Sequence, residues 1–341
     1  MRVAIDAREL VGHATGVGTY LSGILGEWAT LPAAAAHEFI LCKPGSAGGT
    51  WWEQRTLPRL LRQSNADVLF APGYTAPLFA GVPTVVAIHD VSFAAHPEWF
   101  GWREGLRRRT LTRLSARRAA RVLTISEFSR REIVTHLGIG PDKVDVIYPA
   151  VADRQDPSRV TREDLILYTG SLFNRRHIPE LIDGFARLAR DLPEARLAIV
   201  GDNRTIPRID VAALVAASPA GERIALRSYV PRPELSTLYG RARAFVFLSE
   251  YEGFGLTPLE ALSAGVPIVV LDTAVAREVY GDAAMYVDRP DPDLIAAALV
   301  RVLTDHGERA RILTAGRETL ARYSWRACAE RVLEVLLECS A

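Results

Sequence analysis

The alternation of short apolar runs with segments of helical spacing constrains the fold of this chain more than any other feature. Six runs in the first half predict buried strands, because each lacks the polar alternation of a sheet with one solvated face. They lie at residues 3–5, 38–41, 68–70, 85–88, 122–125 and 144–147. Helical spacing between most of these runs, as at 17–28 and 129–137, indicates βαβ units and an α/β fold.

The alternation pauses at residues 149–164, a polar stretch with two prolines that is typical of an exposed linker. It resumes with six further runs, at 165–168, 197–200, 224–226, 244–248, 268–271 and 285–287. The chain has 341 residues, which suits two domains of roughly 150 residues each. We therefore expect two doubly wound domains, which bind ligands beyond the carboxyl ends of their strands. A last helix is expected at 325–337, with one apolar face formed by Val332, Leu333, Leu336 and Leu337.

Composition excludes several classes of protein. Lys and Arg number 41 against 40 Asp and Glu, so no overall positive field indicates a nucleic-acid partner. Cys42, Cys328 and Cys339 lack the spacing of a zinc or redox site, which indicates a reducing compartment. The opening M-R-V-A-I-D-A-R-E-L lacks the apolar segment of a secretory signal, so we expect none, and no apolar run approaches the roughly 20 residues that span a bilayer. We expect a cytoplasmic protein.

The stretch 249–267, S-E-Y-E-G-F-G-L-T-P-L-E-A-L-S-A-G-V-P, holds the residues most suited to chemistry. A strand ends before it, and a helix is expected to start near Thr257. Gly253 and Gly255 allow close approach of a ligand to the backbone, and the first amides of a helix suit an anion or hydroxyl groups. Glu252 and Glu260 could bind sugar hydroxyls or stabilise positive charge.

Each of these two carboxylates also has a structural interpretation. Thr257-Pro258-Leu259-Glu260 has the pattern of a capping box, and spacing alone favours that interpretation for Glu260. Glu252 could equally be a solvated carboxylate in a loop. The choice between cap and ligand therefore stays open on these residues alone.

Three other strand ends carry candidate residues. Residues 13–20 form a glycine-containing loop that could cradle a phosphate or simply be flexible. Arg175 and Arg176 follow the first strand of the second domain and could clamp a diphosphate or remain solvated. His89 follows the strand at 85–88, where it could be a structural hydrogen-bonding group or a functional one.

Residues 99–121 depart from the neutral charge balance. Eight arginines there face only Glu104, and Trp99, Phe100 and Trp102 stand near the start. Such a helix could lie on an anionic membrane or bind a phosphorylated acceptor, or it could be a solvated face. We expect no metal site, because Asp291 before Pro292 is typical of a helix N-cap rather than of a metal-binding carboxylate pair.

Taken together, these segments resemble a known family. E-G-F-G-L-T-P-L-E-A-L-S-A-G-V-P at 252–267 resembles the E-x7-E signature of retaining glycosyltransferases of family 4, also called group 1, which have the GT-B fold. Four further segments are similar to family motifs in the expected order. They are T-G-V-G-T-Y at 15–20, I-H-D-V-S-F at 88–93 with H-P-E-W at 96–99, S-E-F-S at 126–129 and G-S-L-F-N-R-R at 170–176.

The resemblance implies an α/β, GT-B architecture with two Rossmann-like, doubly wound parallel-sheet domains facing across a cleft. Domain 1–155 would lie on the acceptor side, with the helix 325–341 packing back on it, and 156–324 would bind the nucleotide sugar. Glu252 and His89 would be catalytic residues beside the donor sugar. Glu260 would hold the ribose hydroxyls. The remaining donor-binding residues would be Gly16, Arg175, Arg176, Gly253, Phe254, Gly255 and Leu256, which offer amides or charge to the sugar and diphosphate.

The activity implied is retaining, metal-independent transfer of a hexose from a nucleotide-diphosphate sugar to a glycan or lipid-linked acceptor. Mannose from GDP-mannose is the first donor to expect. The chain departs from the family in carrying Arg176 where Lys is common and Ser171 where Arg is frequent. A nucleotide-sugar epimerase of the same architecture, or a non-catalytic sugar-binding protein, is the alternative. The cytoplasm, with contact at the inner face of the plasma membrane through residues 99–121, is the expected location.

Overall fold

The computed structural model of the chain describes residues 1–11, 16–45, 48–151 and 161–340. The chain divides into two compact units, Met1–Ala150 with Tyr323–Ala341, and Val151–Arg322. The expected boundary between 155 and 156, and most of the expected linker at 149–164, lie outside the described residues. So do residues 13–15 of the glycine-containing loop expected at 13–20.

The first unit is built on a six-stranded parallel sheet with strand order β2-β1-β3-β4-β5-β6. Its strands are β1 (Arg2–Asp6), β2 (Glu38–Cys42), β3 (Val68–Ala71), β4 (Thr84–Ala87), β5 (Arg121–Thr124) and β6 (Val144–Val146). Its α-helices are α1 (Gly16–Trp28), α2 (Leu57–Gln63), α3 (Ser92–Ala95), α4 (Trp102–Arg118), α5 (Glu127–Leu137) and, from the end of the chain, α13 (Trp325–Ser340). The order places a topological switch point between β1 and β3.

The second unit contains another parallel sheet of six strands, in the order β12-β11-β10-β7-β8-β9. Its strands are β7 (Leu165–Thr169), β8 (Arg196–Val200), β9 (Ile224–Arg227), β10 (Ala242–Phe247), β11 (Ile268–Leu271) and β12 (Ala284–Val287). Its α-helices are α6 (Ile178–Asp191), α7 (Val211–Ala217), α8 (Arg232–Arg241), α9 (Leu256–Ser263), α10 (Ala274–Tyr280), α11 (Pro292–Thr304) and α12 (His306–Ala321). This is the strand order of a dinucleotide-binding Rossmann sheet, with its switch point between β7 and β10.

All twelve strands expected from the apolar runs are present, each within two residues of its expected ends. The fold class is confirmed. Burial differs from the expectation at the sheet edges, where β2 and β6 are only partly covered while β3 and β4 are buried throughout. An edge strand has a neighbour on one side only, so helices cover it less completely than an inner strand.

The last helix belongs to the first unit. The indole Nε1 of Trp28 in α1 donates a hydrogen bond to the Ala329 carbonyl oxygen of α13 at 2.9 Å. A Cβ added at Gly23 would lie 2.6 Å from the ring of Trp325, so the glycine permits close approach of the two helices. The buried side of α13 includes the expected Val332, Leu333 and Leu336, whereas Leu337 is only half-buried.

Candidate functional site

The loop after β10 turns sharply into α9 at a glycine. Gly255 has φ of +88°, which disfavours residues with a Cβ, and a Cβ there would also overlap the hydroxyl of Tyr280. That hydroxyl donates to the Gly255 carbonyl oxygen at 2.8 Å. The glycine therefore allows the loop to pack against α10, and α9 begins at the next residue.

The capping box expected at Thr257 is wrong. The helix begins at Leu256 with Gly255 as its N-cap, so Thr257 already lies inside the first turn. Glu260 Oε2 instead accepts a hydrogen bond from the Tyr239 hydroxyl at 3.2 Å. The Tyr239 hydroxyl also lies 3.0 Å from Thr169 Oγ1, at the end of β7. Glu260 is thereby directed towards the carboxyl end of the sheet rather than towards its own helix start.

Glu252 and Arg176 form a bidentate contact at one carboxylate oxygen. Arg176 Nε and Nη2 donate to Glu252 Oε1 at 3.0 and 2.7 Å, and Ser249 Oγ donates to the same oxygen at 2.8 Å. The two charged side chains are 11% and 19% exposed. Among the described residues, none donates to Oε2 of Glu252. One oxygen is thus fixed by the protein, and the other is left without a donor from the described residues.

Arg176 is held on its other sides as well. Its Nη1 donates to the Ser171 carbonyl oxygen at 2.8 Å, and its guanidinium lies 4.8 Å from the centre of the Phe247 ring. Burial alone would lower the pKa of Arg176, but the charge of Glu252 and hydrogen bonding outweigh it, so the pKa is raised. The guanidinium therefore remains protonated although the side chain is mostly buried.

Arg175 lies beside Arg176 in the turn Asn174–Arg176. Its guanidinium stacks 4.3 Å above the Phe173 ring, and its Nε donates to the Tyr251 carbonyl oxygen at 3.1 Å. The Arg175 carbonyl in turn accepts from the Glu250 amide at 3.0 Å. These contacts join the loop after β7 to the loop after β10, which are the two loops that flank the switch point.

The other residues expected in the second unit line the same turn. Gly253 and Phe254 are buried, so Phe254 can reach a ligand only through its backbone. Leu256 supplies an amide in the first turn of α9, where helical amides lack a carbonyl partner within the helix. The void beneath the loop, beside Glu252 and Tyr280, measures only about 10 Å³. This void is too small to hold a ligand the size of a sugar ring.

His89 lies in the first unit, directly beyond β4. Its Nε2 lies 2.7 Å from the Pro72 carbonyl oxygen, which can only accept, so Nε2 carries the proton. The side chain is buried, with the Tyr20 ring edge-on at 4.8 Å. Burial lowers the pKa of His89, although its hydrogen bond to Pro72 and the charges of Asp90 and Glu9 oppose this. The imidazole is therefore neutral at pH 7, with Nε2 already engaged.

Gly16 is the first residue of α1 and is exposed. A Cβ at this position would meet no atom within 4 Å, so packing within the described residues does not require a glycine there. Thr15, quoted with it in the resemblance, lies outside the described residues.

The basic segment forms α4, which exposes three apolar side chains among its arginines. Trp102 is 73% exposed, and Leu106 and Leu114 are also exposed on the same helix. Glu104 pairs with Arg107 and Arg108 at 2.9 and 2.7 Å. From the sequence, Glu104 was the only carboxylate expected beside these arginines. In the structure, Asp145 of β6 also lies 3.4 Å from Arg121.

Sequence reasoning missed several residues that shape the site. Ser249, Phe173, Tyr239 and Tyr280 position the charged groups or the glycine turn. Ser249 and Phe173 lie inside segments singled out from the sequence but were given no role there, and Tyr239 and Tyr280 lie outside those segments. Asp291 is the expected N-cap, accepting hydrogen bonds from the amides of Asp293 and Leu294. Within the described residues no group of three or more His, Cys, Asp or Glu side chains is arranged to hold a metal ion. No helix in that part of the chain is both long and apolar enough to cross a membrane.

Comparison with known proteins identifies the family of this chain. The family model for glycosyltransferase family 4 matches residues 27–155, and the model for glycosyl transferases group 1 matches residues 151–319. The crystal structure of Anabaena Alr3699/HepE in complex with UDP-glucose superposes with a TM-score of 0.76 at 17% identity, covering 99% of both chains. The chain belongs to the GT-B glycosyltransferases.

Curated relatives of this glycosyltransferase include two bacterial mannosyltransferases. The O-antigen chain mannosyltransferase B of Escherichia coli is 28% identical over 261 residues, covering 73% of this chain and 68% of the relative. The GDP-mannose:cellobiosyl-diphosphopolyprenol alpha-mannosyltransferase of Xanthomonas campestris is 29% identical over 272 residues, covering 76% and 68%. These matches favour a transferase over the epimerase and over the non-catalytic binding protein.

Proposed function

We propose that this glycosyltransferase moves mannose from a nucleotide-diphosphate sugar, GDP-mannose, to a glycan or lipid-linked acceptor, with retention of configuration and without a metal. The observation that carries the proposal is the contact of Arg176 with Glu252 at the switch point of the second sheet. One oxygen of the carboxylate is fixed by the arginine, and the other is available to the donor sugar.

The charges at this site suit departure of a nucleoside diphosphate. Arg175 and Arg176 together carry two positive charges against the one negative charge of Glu252, which leaves a net positive corner for the diphosphate. Charge on the leaving group grows as the glycosidic bond breaks. Guanidinium groups held by Phe173, Phe247 and the Ser171 carbonyl stabilise that charge without reorganising. The amides at the start of α9 add partial positive charge.

The same arrangement supports the proposal that no metal is needed. Fixed guanidinium groups supply the charge stabilisation that a divalent ion provides in other transferases. We therefore expect transfer to continue at an unchanged rate in EDTA. Loss of transfer in EDTA, restored by Mg²⁺ or Mn²⁺, would contradict metal independence while leaving donor binding by the arginines intact.

Retention is proposed from the family resemblance, and the state of Glu252 bears on the route by which it would occur. Its Oε1 accepts three hydrogen bonds, two of them from a guanidinium, and such stabilisation makes a carboxylate a weak nucleophile. Same-face attack of the acceptor on an oxocarbenium-like centre then explains transfer better than a covalent intermediate on this residue. Proton NMR of the fresh product is expected to show the α-anomer from an α-linked donor, and a β-linked product would overturn retention.

Mannose is proposed from the relatives, because both of those described above are named as mannosyltransferases. The direct test is thermal unfolding with GDP, UDP and ADP at equal concentration, followed by transfer assays with the matching mannose and glucose donors. A ligand that binds only the folded state raises the unfolding temperature, and we expect GDP to raise it most. No stabilisation by any of the three nucleotides would sink the donor assignment.

The acceptor is proposed to be lipid-linked, at the inner face of the plasma membrane, because α4 exposes Trp102, Leu106 and Leu114 among arginines. Aromatic and leucine side chains enter the lipid interface while arginines attract anionic headgroups. Vesicles of phosphatidylglycerol should co-sediment the protein, and neutral vesicles should do so weakly. Arg109→Glu with Arg113→Glu should abolish the difference, whereas the same charge change at exposed Arg59 and Arg62 on α2 should not. Equal sedimentation of both double variants would contradict this surface.

A further inference from the structure

The loop after β3 holds a tyrosine in a strained backbone conformation. Tyr74 has φ of +68°, and the Thr75 amide donates to the Gly73 carbonyl oxygen at 2.8 Å. Tyr74 is therefore the central residue of a γ-turn with positive φ, which is the rare and strained kind. For a bulky side chain this conformation is an outlier. The turn thus costs free energy that an ordinary loop would not.

The strain falls on the tyrosine although a glycine stands next to it. Gly73 has no Cβ and could adopt a positive φ readily, yet Tyr74 is the residue that does so. Strained residues persist only where their surroundings hold them, and they cluster at functional sites. The contacts of the Tyr74 side chain therefore indicate what the strained turn is kept for.

The Tyr74 hydroxyl holds the residue that follows His89. It donates to Asp90 Oδ2 at 2.7 Å, while Asp90 Oδ1 accepts from the Ser92 amide at 2.9 Å. Both oxygens of this carboxylate are thus fixed, one of them by the tyrosine. A hydrogen bond to a charged acceptor is stronger than one between neutral groups. The hydroxyl therefore ties the loop after β3 firmly to the loop after β4.

The ring and the backbone of this turn reach the same segment. The Tyr74 ring centroid lies 5.5 Å from that of the His89 imidazole, with an interplanar angle of 67°. The Tyr74 amide donates to the Ala87 carbonyl oxygen, at the end of β4, at 2.9 Å. His89 Nε2 in turn donates to the carbonyl oxygen of Pro72. The imidazole is therefore bonded to the start of this loop and contacts the ring at the centre of its turn.

A separate set of contacts fixes the main chain at His89. Ser129 belongs to the segment S-E-F-S at 126–129, and its Oγ donates to the His89 carbonyl oxygen at 2.9 Å. Thr124 Oγ1 donates to the Ile88 carbonyl oxygen at 2.8 Å. The main chain here is therefore held independently of the loop after β3, which acts on the imidazole ring instead.

We propose that Tyr74 is a positioning residue for glycosyl transfer, which keeps the imidazole of His89 in one orientation through its hydrogen bond to Asp90. This rests on the proposed function and on the role of His89 that the family resemblance implies. Tyr74 acts without touching either substrate. Misplacement of a catalytic group by about 1 Å can cost about 10²-fold in rate, which explains why a strained turn that prevents it is retained.

The test compares kcat and KM for GDP-mannose in the wild-type protein, Tyr74→Phe, Asp90→Ala and the double variant. Tyr74→Phe keeps the ring and removes only the hydroxyl, so we expect kcat to fall by about tenfold or more. KM and stabilisation by GDP should stay unchanged, because the loss is confined to the transition state. The double variant should be no slower than Asp90→Ala, since Tyr74 acts through that carboxylate.

Two further variants separate positioning from stability. Asparagine accepts a positive φ but is too short to bond Asp90 from this turn, so Tyr74→Asn should lose kcat as Tyr74→Phe does. Ser115 is buried on α4, and its Oγ donates to the Ala76 carbonyl oxygen of the same loop at 3.2 Å. Ser115→Ala should lower the unfolding temperature and leave kcat unchanged.

Exchange of the His89 Nε2 proton with water, followed by NMR, gives a readout that needs no turnover. This proton is bonded to Pro72 and should exchange slowly in the wild-type protein. Exchange should be at least about tenfold faster in Tyr74→Phe, because the ring is released. If exchange responds in this way in a protein that transfers no sugar from GDP-mannose, the proposed donor is rejected and the positioning contact is retained.

Four results would each overturn the proposal. They are wild-type kcat in Tyr74→Phe or Tyr74→Asn, losses of kcat that multiply in the double variant, a loss of kcat in Ser115→Ala equal to that in Tyr74→Phe, and unchanged proton exchange at His89 in Tyr74→Phe.

Discussion

Arg176 and Glu252 are 76 residues apart in the chain and meet within 2.7 Å, because the strands that precede them are neighbours in the second sheet. The pair lies between one loop that supplies cations and another that supplies a carboxylate and helix amides. Each partner fixes the other, so changing either should affect both donor binding and the loop geometry.

Arg176→Ala should weaken GDP binding and destabilise the second unit. The unpaired carboxylate of Glu252 would remain largely buried, and breaking such a pair costs about 3 kcal/mol in the free energy of unfolding. Arg176→Lys should recover part of the nucleotide affinity, since it keeps the charge but not the bidentate fork. Calorimetric titration with GDP and denaturant unfolding measure the two effects. Unchanged GDP affinity in Arg176→Ala would remove this residue from the donor site.

Glu252→Gln should nearly abolish transfer while preserving the fold. The amide oxygen can still accept from Arg176 and Ser249, but the charge facing the donor sugar is lost. We expect kcat to fall by about 10²–10³-fold, the usual loss when one preorganised polar contact to a transition state is removed. Initial rates with GDP-mannose give kcat, and the GDP-induced rise in unfolding temperature serves as the control for binding. Normal turnover would reject Glu252 as a catalytic residue.

Gly255→Ala should disrupt the turn into α9. The left-handed backbone costs an alanine about 1–2 kcal/mol, and its Cβ also overlaps the Tyr280 hydroxyl. Combining it with Tyr280→Phe removes the overlap, so the double variant should be less destabilised than the sum of the single variants. Thermal unfolding of the four proteins gives the coupling directly. If the stability losses of the two single variants simply add in the double variant, the overlap is relieved without a cost in free energy.

His177 should make stability depend on pH. Its Nε2 lies 2.8 Å from Glu250 Oε1 and its Nδ1 3.6 Å from Glu180 Oε2. Burial opposes the charge, but these carboxylates outweigh it and raise the pKa of His177. Its contribution is therefore complete below about pH 6.5, the unfolded value, and is lost as pH rises through the raised pKa.

The matched variant is His177→Asn, because asparagine also accepts the left-handed φ of +51° found at this position. The difference in unfolding temperature between wild type and variant should be largest near pH 6 and should shrink towards pH 9. A difference that stays constant across this range would show that the imidazole contributes by packing alone.

Two glycines of α1 should respond in opposite directions to alanine. Gly23→Ala forces a Cβ against the Trp325 ring and should cost about 1–3 kcal/mol of stability, as overpacking does. Gly26→Ala meets no atom within 4 Å and should gain about 0.5–1 kcal/mol, because alanine favours the helix. Denaturant midpoints of the two variants check this. A stable Gly23→Ala would mean that α13 shifts without cost.

Features that depend on local pattern were predicted well from the sequence. Strands follow from runs of apolar residues, and Asp291 follows from its position before a helical proline. The proximity of Arg176 and Glu252 followed from the resemblance, because each residue stands at a fixed place after its strand. Their roles in binding a donor remain predictions.

Features that depend on contacts between distant segments were not predictable. Spacing alone favours a cap for Glu260, because Thr257 precedes it at the right distance, but the hydrogen-bond partner Tyr239 comes from α8. Because Gly255 has a positive φ and is itself the N-cap, the helix begins at Leu256 and Thr257 does not cap it. The buried ion pairs of Arg8 with Asp6 and Glu53 were also not predictable from a local pattern, since Glu53 lies 45 residues further along the chain than Arg8.

The bond from Trp28 to Ala329 also bears on how the protein is made. Its two ends are 301 residues apart, so the first unit cannot finish its core until residue 329 has left the ribosome. The second unit is one uninterrupted segment and can fold as soon as it emerges. Until α13 arrives, the surface of α1 that it covers stays open to chaperones and to aggregation. A nascent chain that stalls before residue 323 would therefore be the species most in need of protection.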